Sequence, residues 1–124
     1  MYLQIGLCGA LGAVSRYAIS CWVGTHPFPL STLIVNLAGC FALALVNNLS
    51  GVPQKVRTAV GTGFIGAFTT FSTFSKENAV LLLGHNYILL ALNIAVSMLG
   101  GLCAAYVGTR CGLMLCARAK EGKQ

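Results

Sequence analysis

Apolar positions fill residues 2–23 and 30–49 almost without interruption, and they dominate two further stretches at 57–83 and 87–115. A run of about 20 apolar residues is what a helix needs to cross a bilayer. The gaps between the runs carry their own stop signals. Gly24-Thr25-His26-Pro27-Phe28-Pro29 cannot continue a helix, Ser50-Gly51-Val52-Pro53 ends the second run, and Gly84-His85-Asn86 reads as a tight turn. The pattern predicts an all-α membrane protein of four transmembrane helices in one domain, residues 1–115. A polar, basic tail at 116–124 reads as disordered. The first run lacks a basic start and holds Arg16, so it reads as an uncleaved span rather than a signal peptide.

The third run differs from the others. Gly61, Gly63 and Gly66 precede Thr69-Thr70-Phe71-Ser72-Thr73-Phe74-Ser75. Glycines and hydroxyls at this density predict a broken third helix, with the break near residues 66–70. Irregular backbone at membrane depth is tolerated only where protein buries it or where it lines a cavity. The break is therefore a pointer to function.

Composition agrees with a bilayer as solvent. The chain is 56% hydrophobic and 8% charged, with mean hydropathy +0.80, against about 25% charged residues in soluble domains. The net charge of +6 does not form a nucleic-acid patch. Lys55 and Arg57 share a loop, while Arg110, Arg118, Lys120 and Lys123 lie toward the C-terminus. With four spans, these six of eight basic residues fall on one side, which the positive-inside rule makes cytoplasmic, together with both termini. The six cysteines form no CxxC pair and read as small packing residues rather than a metal or redox site. No nucleophile–base pair or metal constellation appears, so the chain does not read as an enzyme. Gly100, Ala104, Gly108 and Gly112 recur every four residues, and Gly6, Gly9 and Gly12 every three, as close helix packing in lipid requires.

Polar groups inside hydrocarbon are costly and mark function. Thr32, Asn36 and Cys40 stand four apart in the second span, and Asn93 and Ser97 four apart in the fourth. Each set reads as a polar track. The chain has no aspartate and two glutamates, Glu77 and Glu121, of which Glu77 sits beside Lys76. The available donors are amides, hydroxyls and Arg16, together with the electropositive ring edges of Phe71 and Phe74. That set suits an anion.

These stretches also resemble a known family. Gly9-Ala10-Leu11-Gly12-Ala13-Val14-Ser15-Arg16-Tyr17, Ser31-Thr32-Leu33-Ile34-Val35-Asn36-Leu37-Ala38-Gly39-Cys40-Phe41 and Gly63-Phe64-Ile65-Gly66-Ala67-Phe68-Thr69-Thr70-Phe71-Ser72-Thr73-Phe74 are similar to the signatures of the Fluc (CrcB) fluoride channels. The resemblance implies a fluoride-selective channel of the cell membrane that exports fluoride to relieve its toxicity. It implies an antiparallel dimer with two pores, each built from both subunits. Asn36, Phe71, Phe74 and Ser97 match pore positions, and Thr32, Thr70, Asn93 and Arg16 complete the expected ion pathway. A structural sodium ion is implied at the dimer centre, held by backbone carbonyls at Gly66 and Thr69. The chain departs from the family pattern at Ser31, Cys40, Ala67 and Asn93.

The six-to-none distribution of basic residues between the two sides has a consequence for assembly. A homodimer of opposed copies needs a weak bias, because each copy must insert either way. The expectation is a second, oppositely oriented homologue as partner. Two rival readings remain at this level. A small multidrug-type cation/proton exchanger would need a carboxylate in its first span, and a non-transporting assembly subunit would use the polar tracks as helix glue.

Overall fold

The structure is a computed structural model that describes residues 1–121. Its elements are helices α1 (Tyr2–Val23), α2 (Leu30–Asn48) and α3 (Gln54–Thr58), a π-helical segment (Ala59–Ile65), and helices α4 (Gly66–Phe68), α5 (Phe71–Leu83) and α6 (Tyr87–Glu121). Three helices are long and apolar enough to cross a membrane: Tyr2–Val23, Leu30–Asn48 and, within α6, Tyr87–Ala119. The third run is divided into pieces too short to do so alone.

The divisions follow the sequence closely. Gly24 takes φ 72°, a left-handed conformation in which a side chain would be strained, and stops α1. Pro29 precedes α2 and Pro53 precedes α3, each at a position where a proline's missing N–H is no loss. Two boundaries depart from expectation. The third run becomes helical at Gln54, three residues before 57, because Pro53 starts it. The last helix does not stop at 115. Residues 116–121 continue α6 rather than forming a loose tail, since nothing after Gly112 breaks a helix there. Residues 122–124 of the expected tail lie outside the described residues.

Packing pairs the helices in a definite way. α6 runs along α2, while α1 lies against the π segment and α4. Both contacts are made at backbone distance through glycine. A Cβ added at Gly12 would overlap the Phe64 carbonyl, and one at Gly108 would overlap that of Phe41. The small-residue spacings thus serve contacts within the subunit. Gly6, first of its series, faces open space. The buried apolar set is small (Val35, Ala59, Ile65, Phe68 and Leu81) and most large apolar side chains point outward. In water that surface would aggregate. In lipid it is the solvated face.

Candidate functional site

The site is built around the break in the third run. Thr69 (φ −74°, ψ 157°) and Thr70 (φ −147°, ψ 125°) are extended, so the helix ends at Phe68 and restarts at Phe71. Two devices hold this geometry. Asn36 of α2 meets the exposed backbone with both ends of its amide: Oδ1 accepts from Thr70 N–H at 2.8 Å, and Nδ2 donates to Thr70 C=O at 3.0 Å. Thr70 then caps α5, its Oγ1 accepting from Thr73 N–H at 3.2 Å. An extended residue inside an apolar bundle would leave two peptide groups unsatisfied, at about 1–3 kcal/mol each. One asparagine removes that cost.

The same arrangement frees other groups. In a continuous helix the carbonyls of Gly66 and Thr69 would accept from the N–H groups of Thr70 and Thr73. Here Thr70 N–H goes to Asn36 and Thr73 N–H to Thr70 Oγ1. The π segment upstream adds one residue per hydrogen-bonded ring, with Gly66 N–H reaching the Gly61 carbonyl. Such segments concentrate at functional sites. Glycine density pointed to irregularity in this stretch but did not specify its π form.

Beside the break lies a cavity of about 400 Å³. Asn36, Cys40, Thr70, Phe71, Phe74 and Ser97 line it, with Met98 at its rim. The Phe71 and Phe74 rings stand 6.1 Å apart at 39°. Five of the expected pathway residues are therefore brought together, from α2, the break, α5 and α6. A second cavity of about 210 Å³ is lined by Arg16, Ser20, Thr32, Thr70 and Thr73, and shares Thr70 with the first. Arg16 and Thr32 stand on this side.

Two expected residues are placed differently. Asn93 is only 1% exposed and does not line the central cavity; its Nδ2 donates to Asn78 Oδ1 at 2.7 Å, tying α6 to α5. Thr32 is 5% exposed and donates to Glu77 Oε1 at 2.7 Å. The cause is geometric. Residues four apart on a helix differ by about 40° in azimuth, so Thr32 and Cys40 diverge by about 80° and a track of spacing four fans out. Glu77 lines neither of these two cavities but meets the second one's wall through Thr32. Its partner is Thr32, and its Oε2 is enclosed without a hydrogen-bond partner among the described residues. An acidic group inside a span was the available signal.

Fold and site together define a small all-α membrane protein with a polar cavity at a helix break. The chain belongs to the CrcB family: the family described as CrcB-like protein, Camphor Resistance (CrcB), matches residues 3–109. It is 43% identical over 119 residues to the Fluoride-specific ion channel FluC 1 of Bacillus cereus (strain ZK / E33L), covering 90% of this chain and 87% of that protein. The Fluoride-specific ion channel FluC 2 of Listeria innocua is 42% identical over 113 residues, with 88% of each chain covered. A FluC 2 of Listeria monocytogenes serotype 4b is 41% identical over 105 residues, covering 82% of this chain and 81% of its own.

Proposed function

We propose that this chain is a fluoride channel, not an enzyme, and that fluoride passes through the cavity beside the broken helix. The observation that carries the reading is the convergence of Asn36, Thr70, Phe71, Phe74 and Ser97 on one cavity. It is supported by relatives named as fluoride-specific channels over most of their length. A small anion entering a low-dielectric site needs donors in place of water. Amide N–H, hydroxyls and the positive edges of aromatic rings provide them beside the break. Passage needs binding that is favourable yet weak enough to release. Neutral donors meet both conditions.

In this reading α3, the π segment, α4 and α5 make the third of four crossings. The channel sits in the cell membrane with both termini in the cytoplasm and exports fluoride down its electrochemical gradient. Phe71 is 79% exposed in the single subunit, which suits a pore wall completed by an antiparallel second subunit. The charge bias favours an oppositely oriented homologue as that partner, each pair enclosing two pores. Thr70, common to both cavities, links the ring pair to Arg16 and Thr32 on the other side. Asn93 contributes by fixing α6 against α5.

A structural sodium ion fits the residues present. Oxygen ligands suit a hard cation, and the carbonyls of Gly66 and Thr69 are the ones whose usual helical donors are turned away. Such an ion would neutralise carbonyl dipoles at the break and lock it open.

Efflux from liposomes, with the chain expressed alone and with its oppositely oriented homologue, tests the proposal. Fluoride should leave far faster than chloride, and Asn36→Ala and Phe74→Ala should each slow it more than about tenfold, equivalent to 1.4 kcal/mol. Equal rates for both halides would end the selectivity claim. Full conduction by the chain alone would end the heteromeric one.

A further inference from the structure

A third polar cavity, of about 280 Å³, lies where α2 ends and α3 begins. Asn47, Gln54, Arg57, Thr58 and Thr62 line it. Among the described residues Arg57 is the only charged side chain in its wall, and no carboxylate lines it. The guanidinium is half-buried and held in place. Its Nη1 donates to Asn47 C=O and its Nη2 to Leu49 C=O, each at 2.8 Å. These bonds cap the carbonyl end of α2, where a cation is favoured. They leave Nε enclosed with no hydrogen-bond partner among the described residues. A fixed cation in a cavity of neutral amides and hydroxyls, without a counter-ion in the wall, has the chemistry of an anion site.

Its position gives this site a route. Leu43 and Gly61 line both this cavity and the central one. The joint between them is narrow, since a Cβ on Gly61 would stand 3.3 Å from Leu43 Cδ1. Asn47, near the end of α2, and Asn36 lie on the same side of that helix, about 16 Å apart at 1.5 Å per residue. The lower end carries Lys55 and Arg57, on the face rich in basic residues.

We propose that the Arg57 cavity is a binding site for a small halide ion, which gathers the anion at the basic end of the pathway and passes it by Gly61 to Asn36. The passage rests on the pore reading above; the site itself does not. Arg57 concentrates the ion by charge, while Thr58, Thr62 and the two amides replace part of its water. Capping α2 keeps the guanidinium rigid, so the site is formed before the ion arrives.

The test uses the full-length protein in liposomes, reconstituted together with its oppositely oriented homologue, with efflux measured as internal sodium fluoride is varied. Arg57→Gln should raise the half-saturating fluoride concentration about tenfold, and Arg57→Lys should recover most of that loss by restoring the charge. Thr58→Val and Thr62→Val, which leave the α2 cap intact, should raise it about two- to threefold. If Arg57→Gln lowers only the maximal rate and thermal stability, with half-saturation unmoved, Arg57 is a cap alone and the proposal fails. A readout without flux separates the two readings. Sodium fluoride and sodium chloride should raise the thermal midpoint of the detergent-purified wild type, and Arg57→Gln should abolish that rise. A wild type that passes no fluoride yet shows this Arg57-dependent rise upholds the site and removes the pore. An equal rise in Arg57→Gln overturns the site.

Discussion

The two halves of the interrupted third run have similar lengths and opposite surroundings. Before the break, Ala59, Gly63, Ile65 and Phe68 are buried, and the backbone lies against α1 at Gly12. After it, Leu81 is the one buried apolar residue of α5, while Phe71, Val80 and Leu83 stand largely exposed. The first half finds its neighbours inside its own chain; the second presents aromatic surface outward. The difference teaches where this chain packs on itself and where it does not. Within this run burial is concentrated upstream of Thr69, and the two rings that line the central cavity lie downstream of it.

Substitutions across the break sharpen this contrast. Phe68 is buried and stacks on Phe64 with ring centroids 5.8 Å apart. Phe68→Ala should destabilise the subunit by about 3–5 kcal/mol, read as a large fall in thermal midpoint in detergent. Gly12→Ala comes next, costing about 1–3 kcal/mol because the added Cβ meets the Phe64 backbone. Gly6→Ala, with open space around it, should be neutral in the same assay. The smallest stability effect belongs to Phe71→Ala, within about 0.5 kcal/mol for an exposed side chain. Fluoride efflux should nevertheless fall more than about tenfold with it. If Phe71→Ala costs the isolated subunit as much stability as Phe68→Ala, the division between a packing half and a conducting half is wrong.

Glu77 shows a related division within one helix. It turns away from the ring pair that precedes it on α5 and takes Thr32 as its partner at 2.7 Å. Lys76, one residue earlier and about 100° away around the axis, shares an outer cavity with Glu77 and His26, yet Glu77 hydrogen-bonds Thr32. Neighbours in sequence are not neighbours in space on a helix, and a Lys–Glu dipeptide there need not be an ion pair.

Much of the architecture was legible because lipid imposes few solutions. Apolar runs of 19 and 22 residues, ended by glycine and proline, specify helices whatever their neighbours do. The break was legible as well, since glycines and hydroxyls in an apolar run contradict a straight helix. Asn36, Phe71, Phe74 and Ser97, which line the cavity beside it, are residues that hydrocarbon or a helix terminus makes conspicuous. The end of the last helix was not, because Cys116-Ala117-Arg118-Ala119 is polar enough to read as a tail yet free of helix breakers.

Direction was decided only by tertiary structure. Asn36 and Asn93 look alike in sequence, each an amide in the interior of a span. One bridges the broken backbone and lines the cavity, and the other is sealed against Asn78. Arg57 read as a topology signal until the end of α2 was seen to lie in its grasp. The physical reason is common to all three. Local sequence determines that a helix forms and which residues share a rough side of it. The sector that meets a neighbour is set by the azimuth at which another helix, tens of residues away, comes to rest.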